Sequence, residues 1–141
     1  MSTVSLYNHT SSYVMDLDLD GFSYYLMLCA SSTFDATDAT LADITKTEVA
    51  DGNGYTTGGQ ELMNKAITTV NTNNAKFLAD DVEWPVTSGS ITADSAILYY
   101  SNGNTNPPLL HIDFGASIEV SSGSSFLIEW DPDGIIVLDT P

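Results

Sequence analysis

Leu109–Phe114 reads LLHIDF, with Leu110, Ile112 and Phe114 on one side of an extended chain and His111 and Asp113 on the other. A period of two marks a strand with one covered face. The rest of the 141-residue chain is punctuated in the same way, as short apolar runs cut by clusters of Gly, Asn, Asp, Ser and Pro. Phe22–Cys29 (FSYYLMLC) is apolar on both faces, as in a central strand covered from each side. Lys65–Val70, Ser95–Tyr100, Ser117–Val120 and Ser125–Trp130 are further strand candidates. In EWDPDGIIVL, Pro132 follows an aspartate and Gly134 closes the turn, so Asp131–Gly134 is expected to reverse the chain in a final hairpin. Two short helices are expected at most, at Ser5–Met15 and at Asp38–Thr47 with Asp38 as its N-cap. The pattern predicts a mainly β, single-domain antiparallel β-sandwich over residues 1–141, jelly-roll or immunoglobulin-like.

Charge narrows the function. The chain carries 19 acidic residues against three lysines (Lys46, Lys65, Lys76) and no arginine, a formal net charge of −16. Nucleic-acid affinity rests on Lys and Arg displacing counterions, so DNA and RNA are excluded as expected partners. Anionic membrane surfaces are disfavoured for the same reason. No apolar stretch approaches the roughly 20 residues of a membrane span. MSTVSLYNHTSS has neither a basic start nor an apolar core of signal length, so synthesis in a cytoplasm is expected. The single cysteine, Cys29, excludes an internal disulfide and reads as a buried, inert thiol.

Several motifs resemble sites without completing them. DLDLDGF at 16–22 is the first half of a calcium loop, with Asp16, Asp18 and Asp20 as candidate ligands. The closing glutamate is missing, because position 12 of such a loop is Met27, so the stretch reads as the polar edge and turn leading into a strand. GNGYTTGGQ at 52–60 lacks the Lys-Ser or Lys-Thr of a phosphate loop and reads as a flexible polar turn. His111 and Asp113 share a strand face, where a carboxylate can orient a general base, but the sequence singles out no nucleophile for them. Asp80–Asp81 and Asp131–Asp133 resemble a glycosidase pair and lie beside turn signals, which favours turn and capping duty. The spacing of two histidines and one cysteine gives no zinc site, and no cofactor is implied. Tyr24, Tyr25, Tyr99, Tyr100 and Trp84 are the candidate interface anchors, and with Trp130 they are also a candidate carbohydrate platform.

Five stretches taken in order, LYNHT at 6–10, ADGNGYTTGGQ at 50–60, AKFLADDVEW at 75–84, PPLLHIDFG at 107–115 and IEWDPDGIIVL at 128–138, resemble a group of small virion structural proteins of tailed bacteriophages. An F-D-A-T stretch at Phe34–Thr37 adds to the match. The likeness runs from Leu6 to Leu138 and rests on order and spacing; the chain departs from the group in its heavier acidity and in DLDLD. The resemblance implies a non-enzymatic particle component located in the virion, partnered by the major capsid protein or by tail proteins, as a homo-oligomer or bound to a lattice. A capsid decoration or cement subunit on the outer head is the leading expectation. A tail, baseplate or fibre-attachment protein is the alternative, and a carbohydrate- or calcium-dependent binding domain the second.

Overall fold

LLHIDF lies in the longest strand of the protein. The computed structural model describes residues 3–10, 21–71 and 74–138. Among these, eleven strands are present: β1 (Thr3–Leu6), β2 (Tyr24–Ser32), β3 (Lys46–Glu48), β4 (Gln60–Glu61), β5 (Ala66–Asn71), β6 (Asn74–Leu78), β7 (Val82–Pro85), β8 (Ser90–Tyr100), β9 (Pro108–Ser121), β10 (Ser125–Ile128) and β11 (Ile136–Leu138). All pairings are antiparallel. The large sheet runs β1-β9-β8-β2-β3, with β4 also beside β2; β10-β7 and β11-β6-β5 form two smaller sheets. The expected mainly β sandwich is the observed fold.

The two faces of the large sheet bury different clusters. Tyr24, Leu26, Leu28, Ala96, Leu98, Leu110, Ile112 and Phe114 pack with Phe77, Val82, Trp84 and Phe126 of the smaller sheets. Met27, Cys29, Ile97 and Tyr99 face the other way and are covered by Tyr7 and Ile44, with Leu41 alongside. FSYYLMLC is apolar on both faces because both faces of β2 are covered. Burial holds the Cys29 thiol up at about 12, so the inert-thiol expectation stands.

Several local expectations change. Ser117–Val120 is not a separate strand: it continues β9, after an irregularity that sets Ala93 opposite Ile118 but Ser95 opposite Asp113. Of the helix expected at Ser5–Met15, Ser5 and Leu6 belong instead to an edge strand on β9, helical backbone is present at Thr10, and the remainder from residue 11 lies outside the described residues. The helix expected at Asp38–Thr47 shrinks to one 3₁₀ turn, Leu41–Asp43, capped by Thr40 rather than Asp38. Thr40 and Asp43 satisfy each other's backbone amides in a closed box, and Ile44 then returns to extended backbone and enters the core. The Asp131 turn forms, with Gly134 N–H donating to Asp131 O at 2.9 Å. It closes no hairpin, however, because β10 pairs with β7 and β11 with β6.

The GNGYTTGGQ loop is anchored rather than flexible. Glu48 Oε1 accepts from Tyr55 Oη at 2.8 Å and from Gly58 N at 2.6 Å, and Tyr99 Oη donates to Gly58 O at 2.6 Å. Gly59 has φ +90°, and a Cβ there would stand 2.0 Å from Leu26 O. Only glycine lets the loop lie so close to β2. Gly59→Ala should therefore cost about 3 kcal/mol or more, while Gly103→Ala, at positive φ but in open space, should cost about 1 kcal/mol. Urea unfolding of the two variants checks the contrast, and equal losses would show that the contact with β2 is unimportant.

Candidate functional site

Two features stand out: a buried polar chain at His111 and an open apolar groove beside β10. His111 points into the face that alternation assigned to solvent, and it is only 5% exposed. Its Nε2 lies 2.8 Å from Ser32 Oγ, which lies 2.5 Å from Ser95 Oγ, and Ser95 Oγ donates to Asp94 Oδ1 at 2.7 Å. Phe34 packs against the imidazole, with ring centroids 5.8 Å apart.

The direction of these hydrogen bonds decides what the cluster can do. A carboxylate only accepts, so Ser95 gives its proton to Asp94. Ser32 must then donate to Ser95, and its remaining lone pair accepts from His111 Nε2–H. That order is the reverse of an activated nucleophile, whose proton would go to the imidazole. Asp113 does not orient the ring either; it is exposed and accepts from Gly115 N at 2.8 Å. The His111–Asp113 pair expected from alternation is therefore not assembled, and the chain from His111 to Asp94 serves to satisfy buried polar groups.

Of the acid pairs, Asp131 holds a turn, whereas Asp80 and Asp81 tie distant segments together. Asp81 Oδ1 accepts from Trp130 N at 2.9 Å, Asp131 Oδ1 accepts from Asp133 N at 2.8 Å, and Asp80 accepts from the Asn64 side chain. Asp16, Asp18 and Asp20 lie outside the described residues. Among the described residues, no three His, Cys, Asp or Glu side chains gather to hold a metal.

The aromatic candidates are a correction. Tyr24, Tyr99 and Trp84 are at most 5% exposed, so the folded chain does not present them to a partner or a sugar. Their flanking apolar residues place both faces of β2 and β8 in packed layers, which takes these rings inside. Tyr25 and Tyr100 are half-buried, stacked on Tyr99 and Phe22 respectively.

The exposed apolar surface lies elsewhere. A groove of about 620 Å³ runs between β9 and β10, backed by the buried Leu110, Ile112, Phe114 and Phe126, lined by the half-buried Val120, and reached past Val4, Ile118 and Leu127. Those last three are 56%, 41% and 47% exposed, far more than a core position allows. Ser125–Asp131 lines one wall continuously, bringing Glu129 and Asp131 to the rim. The alternation of Ser125–Trp130 placed a strand here, but nothing in that run told which edge would stay open. No protein-family model, curated protein or solved structure matches the chain.

Burial holds the His111 pKa below its ordinary value, against smaller opposing effects of Asp113 and Asp94. Its folded pKa thus lies under the unfolded value of about 6.5. The unfolded chain binds that proton first, so the contribution of His111 is fully present above about pH 6.5 and is lost progressively as pH falls from there through the lower folded pKa. His111→Gln keeps a donor toward Ser32 and removes the titration. Between about pH 8 and about pH 5 the parent should lose more unfolding free energy than the variant, as read by urea melts. Parallel curves would mean that His111 titrates as it does in water.

Proposed function

We propose that the chain is a non-enzymatic structural subunit of a tailed-phage virion, docking on the head lattice as a decoration or cement protein. The observation that carries this reading is the apolar groove at the open side of the sandwich, bounded by three strongly exposed aliphatic side chains. An isolated surface scatters such residues singly; gathered around one groove they mark a contact surface. The order of motifs that resembles phage virion proteins supplies the particle. The proton order of the His111 chain favours a structural over a catalytic role for the His111–Ser32 contact. The acidic exterior suits an outer position, where it keeps particles apart and away from DNA.

Quantitative mass spectrometry of purified particles tests the proposal. The expected result is a ratio to the major capsid protein near one or a simple fraction of it. A ratio of a few per cent would move the protein to the neck, tail or fibres, and complete absence would remove it from the virion.

A further inference from the structure

The groove has a backbone as well as an apolar lining. Val86 N–H donates to Ser124 O at 2.9 Å in phase with the β10–β7 ladder, which pairs Phe126 with Trp84 and Ile128 with Val82. In an antiparallel ladder, alternate residues turn their N–H and C=O groups to the same side. Phe126 and Ile128 therefore bond to β7, and Ser125 and Leu127 direct their backbone groups away from it, toward the groove. Trp130 keeps the phase, since its N–H turns to Asp81 on the β7 side. Among the described residues no strand pairs with that edge of β10.

We infer that this edge is a strand-addition site for an extended segment of a partner protein in which apolar and basic residues alternate. Backbone groups of Ser125 and Leu127 bind the added strand, and every second side chain of that strand packs on the accessible apolar residues of the groove, Val4, Ile118 and Val120. The intervening side chains meet carboxylates. Glu129 and Asp131 stand at the rim, and exposed Glu83 is the cross-strand partner of Leu127. The groove lining contains no lysine. Lys46 and Lys76 are already donating to backbone carbonyls, and Lys65 lies over the Tyr24 ring. A second copy of the chain would bring another net charge of −16 to this rim, whereas a basic strand neutralises it. The assignment rests on the docking reading above, but not on where in a particle the docking occurs.

The probe is the acetylated and amidated heptapeptide KVKVKVK, titrated against the intact protein in about 0.15 M salt. Binding is read by calorimetry and by Trp130 fluorescence, since Trp130 lines the groove. Saturable one-to-one binding is expected. EVEVEVE, and KVKVKVK methylated on alternate backbone nitrogens, should each bind at least about tenfold more weakly. Ile118→Asp, at an exposed groove position, should weaken KVKVKVK binding by at least about tenfold at unchanged melting temperature. Met63→Asp, also exposed but outside the groove lining, should not. The site is overturned if no binding occurs, if the methylated peptide binds as well as its parent, or if Ile118→Asp has no effect. A dimer that sedimentation shows to be abolished by Ile118→Asp would give the groove to a second copy and also overturn it. A failed titration with a capsid-like copy number in particles would leave the structural reading standing and remove only this site.

Discussion

Both faces of the β2–β8–β9 sheet are apolar, and the rest of the structure follows from the need to cover both. One face receives the two small sheets, whose own alternation supplies Phe77, Val82, Trp84 and Phe126. The other is covered by chain with little regular structure, and a cover of that kind must satisfy its backbone polar groups one by one. Tyr7 N donates to Leu109 O and Asn8 N to Ala36 O, while Leu41 N is shared between Thr105 O and Asn106 O. Thr10 is buried because its hydroxyl donates to Leu109 O at 2.8 Å. Lys46 is drawn in to donate to Leu41 O at 2.6 Å. Several of these side-chain and backbone bonds thus go to closing a second layer that, among the described residues, has no sheet of its own.

This division explains what could be read from the residues. Strands whose apolar pattern reports their own environment were legible: FSYYLMLC as a doubly covered strand, SAILYY as a strand, and LLHIDF as a strand with one apolar face, though not the order in which the three pair. What failed depended on a partner segment. His111 alternates like a surface residue, yet its face of the sheet is the one closed by the irregular layer, and only Ser32 and Phe34, distant in sequence, reveal that. The helix expected at Asp38–Thr47 had Asp38 as its cap signal, but Thr40 takes that role. A single 3₁₀ turn closes the Thr40–Asp43 box, and the pull of Ile44 into the core then outweighs weak local propensity. The Asp131 turn was legible from Pro132 and Gly134. Its failure to make a hairpin was not, because Trp130 is tied through its amide and its indole N–H to Asp81 and Asp80, which commits the two flanking strands to different sheets.

The candidate site was less legible than the fold, for a physical reason. Tyr and Trp are favoured at interfaces because they are large and amphipathic, and the same properties suit them to cores. Tyr55 shows how such a residue is used internally: its hydroxyl donates to Glu48 and accepts from Leu28 N at 3.2 Å, tying a loop to the central strand. The exposed apolar positions around the groove are instead aliphatic. Val4, Ile118 and Leu127 look in sequence like the buried members of any alternating strand, and only the absence of a facing layer distinguishes them.

How the sheet edges are protected gives that surface its meaning. Exposed edges invite pairing, and they are commonly blunted by bulges, charges, proline or shortness. Beyond its pairing with β1, β9 bulges outward through Gly115, and Asp113 occupies the Gly115 amide. On the far side, β3 is three residues long and carries Lys46 and Glu48. β7 ends in Pro85. β10 reads SFLI, with no proline, no charge and no register shift along its pairing with β7. Its guard is the net charge of the whole molecule, together with Glu129 and Asp131 at the end of the groove. Charge of that kind repels copies of the same chain at long range, but it does nothing to repel a basic strand. An edge protected in this way discriminates between self and partner by electrostatics, which a bulge or a proline cannot do.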